Sequence, residues 1–184
     1  EAYAWRGKAY FETEQFNLAI KDLTKVIELT PLFYNLNPFF YRGNCKMKLK
    51  DFDGAIEDFG NAINYGKIGN KFDIHLNRGI VYFEIENYIK SIEDFDNAIK
   101  LGSNSYYKKH QYDKIGFANA FYCRGAAKKE IEDLNGAILD FSEAIKYNPE
   151  DKIAYSERRD LYLKISELNL AELKSINKNS LEND

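Results

Sequence analysis

The dipeptide Arg-Gly recurs at Arg6-Gly7, Arg42-Gly43, Arg78-Gly79 and Arg124-Gly125, with spacings of 36, 36 and 46 residues. Each glycine is followed at fixed distances by the same residue types. Twelve residues on stand Ala19, Ala55, Ser91 and Ala137, each followed by Ile (Ile20, Ile56, Ile92, Ile138). Fifteen on comes Asp (Asp22, Asp58, Asp94, Asp140), then Leu23, Phe59, Phe95 or Phe141. Nineteen on come Val26, Ala62, Ala98 and Ala144, each again followed by Ile. Self-similarity at a fixed period requires a repeat architecture, in which one supersecondary unit stacks on its own copies.

Apolar residues recur every three or four positions through most of the chain, which is the helical signal. Each unit divides into two helices. The first spans about residues 2–14, 36–50, 72–86 and 118–132, and the second about 17–29, 53–65, 89–101 and 135–147. Short polar turns join them, with Asp53 or Asn135 suited to cap the second helix. So short a joint makes the two helices antiparallel neighbours. A mid-helix glycine costs about 1 kcal/mol relative to Ala, so its recurrence calls for a compensating close approach of the partner helix. Arg6 with Asp22, Arg42 with Asp58, Arg78 with Asp94 and Arg124 with Asp140 recur together, which predicts an ion pair tying the two helices of each unit.

The order of Gly, Ala, aromatic and Ala, ending in Pro31 after the first unit and Pro149 after the fourth, resembles the tetratricopeptide repeat, whose period is 34 residues, in the bacterial-type form with an Arg-Gly signature. The resemblance implies an all-α, right-handed α-solenoid of antiparallel helix pairs: four full repeats and a degenerate C-terminal capping repeat. The expected domain is a single solenoid over 1–177, with repeats at 1–31, 36–67, 72–103, 118–149 and 152–177, and a flexible tail at 178–184. In the fifth unit Tyr155, Arg158 and Ala171 keep step, but Arg159 replaces the Gly and Lys174 the Asp. That suits a terminal cap whose outer face meets water. Lys67 and Ser103 stand where the family has Pro, so longer helices or looser turns follow there. An insertion at 103–117 holds Tyr106, Tyr107, Lys108, Lys109 and Tyr112, and is either a contact loop, extra helical turns or a solvated segment.

In this family the concave groove lined by the first helices binds a peptide or a partner's helix. Reading those helices at helical intervals gives Ala4, Lys8, Phe11 and Glu12 from the first, and Phe40, Asn44, Met47 and Lys48 from the second. The third gives Leu76, Asn77, Ile80, Phe83 and Glu84, and the fourth Tyr122, Ala126, Lys129 and Glu130. The lining is apolar at its centre and polar at its rim, which suits a segment with apolar anchors. Alternatively Phe40, Leu76 and Ile80 pack between units. One subgroup of the family grips the terminal carboxylate of chaperone peptides with Lys, Arg and two Asn; here Asn44 and Asn77 match the Asn slots, while Phe40, Asn119 and Cys123 occupy the cationic ones. A buried carboxylate would go unpaired, so no such clamp is expected.

The function expected is therefore a non-catalytic protein–protein interaction scaffold, with no cofactor and no metal, whose partner is a peptide or helix of another protein. The alternative is a structural or self-associating subunit of a larger assembly, for which the insertion's tyrosines are the candidate contacts. The net charge of −3 arises from 26 basic and 29 acidic side chains that are interspersed, so general affinity for nucleic acid is not expected. Lys108, Lys109 and Lys114 with their tyrosines are the one place where bases could stack. No apolar run reaches the roughly 18 residues a membrane span needs. His75 occupies a slot held elsewhere by Tyr3, Phe39 and Phe121 and reads as a core histidine; His110 lies in the insertion. Cys45 and Cys123 have no partner at ligand spacing and read as free thiols, which favours a reducing, cytoplasmic setting. The chain opens at Glu1-Ala2-Tyr3 inside an amphipathic pattern and without Met, as expected of an excised or processed piece.

Overall fold

The computed structural model describes residues 1–30, 36–65, 71–103 and 112–181. Among these lie nine α-helices and no strand. They are α1 (Ala2–Glu12), α2 (Phe16–Leu29), α3 (Pro38–Lys48), α4 (Phe52–Tyr65), α5 (Lys71–Glu84), α6 (Tyr88–Gly102), α7 (Tyr112–Glu130), α8 (Leu134–Tyr147) and α9 (Lys152–Leu181). The chain divides into two compact units, Glu1–Lys109 and His110–Asp184. The first holds the pairs α1–α2, α3–α4 and α5–α6, in which α2 also packs on α3 and α4 on α5. The second holds the pair α7–α8, with α9 packed on α8. Each unit is a stretch of tetratricopeptide-like solenoid.

The joint inside each pair is built the same way four times. Glu14, Lys50, Glu86 and Glu132 adopt left-handed backbone, with φ of 59°, 61°, 60° and 61°. The next amide then reaches back to the first helix: Gln15 N to Tyr10 O, Asp51 N to Lys46 O, Asn87 N to Tyr82 O and Asp133 N to Lys128 O, at 2.8–2.9 Å. This is a Schellman closure without the glycine that usually carries it. The second helix is then capped by the residue that follows: Asp51 accepts from Gly54 N, Asn87 from Lys90 N and Asp133 from Gly136 N. Asp53 and Asn135, expected as caps, instead lie inside the first turns of α4 and α8. The tight turn brings the acid nearest the turn into capping position, so each of these helices starts one residue earlier.

The glycines do what their recurrence predicts. A Cβ built on Gly7 would lie 3.0 Å from Leu23 Cγ; on Gly43, 3.0 Å from the Phe59 ring; on Gly79, 2.7 Å from the Phe95 ring; and on Gly125, 3.1 Å from Phe141. Side-chain space at these positions is already taken by the partner helix. Phe59, Phe95, Phe141 and Leu23 are fully buried, and burying each such side chain contributes about 1.5–3 kcal/mol. Small residues (Ala19, Ala55, Ala98, Ala137, Ala144) fill the tight crossings around them.

Two expectations need correction. The fourth unit's first helix starts at Tyr112 rather than near 118, so the end of the insertion supplies extra helical turns. The fifth unit is not a helix pair: α9 runs unbroken from Lys152 to Leu181, including residues 178–181 that were assigned to a flexible tail.

Candidate functional site

In the first unit α3 packs against both α1 and α5, which sets the residues expected to line a groove side by side. Lys8, Phe11, Phe40, Met47, Asn77, Ile80 and Phe83 are half-buried there, and Glu12, Lys48 and Glu84 in the last turns are exposed. Lys8 reaches Glu12 at 3.5 Å and lies 5.8 Å from the Trp5 ring and 5.9 Å from that of Tyr41. Phe11 meets Tyr41 edge-on at 5.5 Å, Phe40 meets the same ring at 5.4 Å, and Phe83 meets Tyr88 at 5.4 Å. The result is an aromatic floor with a charged rim.

Three of the expected lining residues do not face outward. Ala4 and Leu76 are buried. Asn44 is buried, donating to Phe40 O at 2.8 Å and accepting from Asn77 Nδ2 at 2.7 Å. Burial without those bonds would cost about 1–3 kcal/mol, so the two Asn serve each other across α3 and α5. In the second unit Tyr122 packs on Phe141 at 5.5 Å and against the cluster holding Leu161. Lys129 is engaged by Glu157 of α9 at 2.8 Å, a bond that also raises its pKa. Ala126 is half-buried and Glu130 exposed. Tyr106, Tyr107, Lys108, Lys109 and His110 lie outside the described residues, as do Pro31 and Lys67; the backbone of Tyr112 is helical, and its side chain lies outside the description.

The predicted ion pairs form in all four units, each a two-bond fork from Arg to Asp. Arg6 holds Asp22 at 2.6 and 2.9 Å, Arg42 holds Asp58 at 2.9 and 2.6 Å, and Arg78 holds Asp94 at 2.7 and 2.8 Å. Arg124 closes on Asp140 in the same way. Planar guanidinium matched to carboxylate is the strongest form of such a bond. Lys46 and Lys128, one turn beyond their arginines, add second cations at 2.9 Å to Asp58 and Asp140. In the third unit that slot is Tyr82, and His75 Nδ1 takes over at 2.8 Å from Asp94. His75 is thus a polar partner of the buried acid rather than an apolar core residue. Burial alone would raise the Asp94 pKa, but the bonds from Arg78 and His75 outweigh it and hold the carboxyl below its ordinary value.

Both cysteines are free, and burial pushes Cys45 up to about 12 and Cys123 to about 11. Among the described residues no three His, Cys, Asp or Glu side chains could hold a metal ion together, and no helix is long and apolar enough to cross a membrane.

The tetratricopeptide repeat family matches the chain over residues 1–31. No curated protein matches it. Among solved structures, MamA residues 41 to the end from Desulfovibrio magneticus RS-1 is 16% identical, with a TM-score of 0.74 over 98% of this chain and 93% of that one. The second TPR domain of human RPAP3, solved with the HSP70 peptide SGPTIEEVD, is 27% identical, with a TM-score of 0.54 over 66% of this chain and 89% of that one. The Arabidopsis OM64 TPR domain is 20% identical, with a TM-score of 0.57 over 68% and 93%. Residues 1–31 match the tetratricopeptide repeat model, and the chain shares the fold of these tetratricopeptide repeat structures.

Proposed function

We propose that the chain is a non-catalytic scaffold that binds a peptide or helical segment of another protein on the face formed by α1, α3 and α5. The observation that carries this reading is the half-buried aromatic floor of Phe11, Phe40 and Phe83 ringed by exposed Glu12, Lys48 and Glu84. A mixed surface of this kind offers pockets for apolar anchors and charges that fix register. The peptide complex of the human RPAP3 domain shows that this fold can present a peptide-binding surface. The two thiols offer little nucleophile chemistry, because burial holds both protonated near neutral pH and a protonated thiol is a poor nucleophile.

The test is affinity capture from a lysate with the parent chain and a variant carrying Glu12→Ala, Lys48→Ala and Phe83→Ala, positions that leave the Asn44–Asn77 bond intact. A partner retained by the parent and lost by the variant, at unchanged helicity, is the expected result. Equal capture by both would exclude this face.

A further inference from the structure

The arginines of the complete pairs make three kinds of contact. All four fork onto the Asp of their own second helix; Arg6, Arg42 and Arg124 stack on an aromatic three residues back, a place held beside Arg78 by His75; and Arg42 also reaches the preceding second helix through Nη1 to Thr24 Oγ1 at 3.0 Å. Arg158 of α9 repeats two of these: its Nη1 bonds Ser142 Oγ of α8 at 3.1 Å, and its guanidinium lies 5.5 Å from the Tyr155 ring. The third is missing. Among the described residues Nε and Nη2, the donors that close on Asp elsewhere, make no hydrogen bond, and α9 continues to Leu181 without turning back.

The face left uncovered is the one on which α1, α3, α5 and α7 receive their partner helices. On α9 it forms an open depression of about 730 Å³ lined by Lys152, Tyr155, Arg158, Arg159, Tyr162 and Leu163. Tyr162 and Leu163 are each 57% exposed. Three cations line it, of which Arg159 is paired with Asp160, while Glu157 is engaged by Lys129. Arg159 stands in the glycine slot, where a Cβ meets the residue after the Asp at about 3 Å in the complete pairs. An incoming helix must therefore be small at that position.

From this juxtaposition we infer that the uncovered face of α9 docks an acidic helix of a partner protein, which supplies in trans an Asp followed by a small residue and closes the free fork of Arg158. The site is separate from the α1–α3–α5 face and does not depend on it. A carboxylate there gains a two-bond fork and further attraction from Lys152, screened by salt because the face is open.

The probe is a helix-stabilised, fluorescently labelled peptide of the α4 sequence carrying Phe59→Ala, since Asp53, Glu57 and Asp58 give it three acids and no base. Binding to the full chain is followed by anisotropy at low salt. Saturable binding is expected, weakened about tenfold or more by Arg158→Gln, as the loss of a charge-assisted fork requires. Asp58→Asn in the peptide should remove the same increment without adding to it. Tyr162→Ser, at an exposed position, should weaken binding several-fold while helicity stays unchanged. No saturation up to about 1 mM, the weak limit of specific association, or equal binding by Arg158→Gln, overturns the inference. Sedimentation showing a dimer of the chain alone that Tyr162→Ser abolishes would assign the face to a second copy and overturn it equally.

Discussion

The helices α7 and α9 start from nearly the same instructions and end differently. Both carry an arginine stacked on an aromatic three residues back, Arg124 on Phe121 at 5.3 Å and Arg158 on Tyr155 at 5.5 Å. In α7 the next residue is Gly125, against which Phe141 packs, and Asp140 closes the arginine fork. In α9 the next residue is Arg159 and the slot for the acid holds Lys174, so close approach and charge pairing are both denied. The chain then runs on as one helix to Leu181. Arginine and aromatic alone do not make a pair. The glycine that admits the partner and the acid that pins it do.

The strongest way to break this comparison is to remove a buried acid. Arg42 and Asp58 have side chains 16% and 0% exposed, and Lys46 shares the same carboxylate. Asp58→Ala should cost about 3–5 kcal/mol, as expected when one partner of a buried ion pair is lost. Arg158→Ala, which gives up one hydrogen bond, should cost about 1 kcal/mol. Chemical denaturation of the two variants measures the contrast, and equal losses would refute it.

Next comes the glycine slot. A Cβ on Gly79 would press to 2.7 Å against Phe95. Overpacking of this kind costs about 1–3 kcal/mol, partly offset by the better helix propensity of Ala, about 1 kcal/mol. Gly79→Ala should therefore destabilise by up to about 2 kcal/mol. The corresponding Arg159→Ala should lie within about 0.5 kcal/mol of the parent, like other exposed substitutions.

A smaller effect, of opposite sign, is expected at the turns. Lys50 and Glu132 sit at φ of 61°, where an L residue is disfavoured by about 1–2 kcal/mol and glycine gives back about 0.5–1 kcal/mol in chain entropy. Lys50→Gly should raise stability by about 0.5–1 kcal/mol, read as a higher midpoint of thermal unfolding.

The last contrast concerns pH. Because the folded state holds Asp94 below its ordinary value of 3.8, the stability this group contributes is fully present above that value. It is lost as pH falls through the lowered one. Asp94→Asn should remove this part of the acid dependence, visible as a shallower slope of unfolding midpoint against pH below about 4. An unchanged slope would show that Asp94 does not gain its charge stabilisation on folding.

Much of the helical plan could be read before any coordinates, because it rests on relations repeated four times. A residue spacing that recurs with both its glycine and its acid leaves little freedom, and Arg-to-Asp forks formed at all four places. What escaped was set by single local contacts. Glu14, Lys50, Glu86 and Glu132 carry no turn residue's signature, and only the closed geometry of the joint places them in left-handed backbone and hands the cap to Asp51 and Asp133. Asn44 looked like a groove residue because its helical angle points there; its burial depends on Asn77, thirty-three residues on, being within 2.7 Å. Replacement of Gly and Asp by Arg159 and Lys174 was a legible warning that the fifth unit would not pair, although it says nothing of where the helix ends.

The claim that the face of α1, α3 and α5 receives a partner is tested most directly by placing a photo-crosslinking residue at Glu12, Lys48 or Glu84, and for comparison at Lys25, Lys90 or Glu93 on the second helices, then irradiating in a lysate. The account predicts one shared crosslinked species from the first three positions and none from the others. Crosslinks confined to Lys25, Lys90 and Glu93 would contradict it.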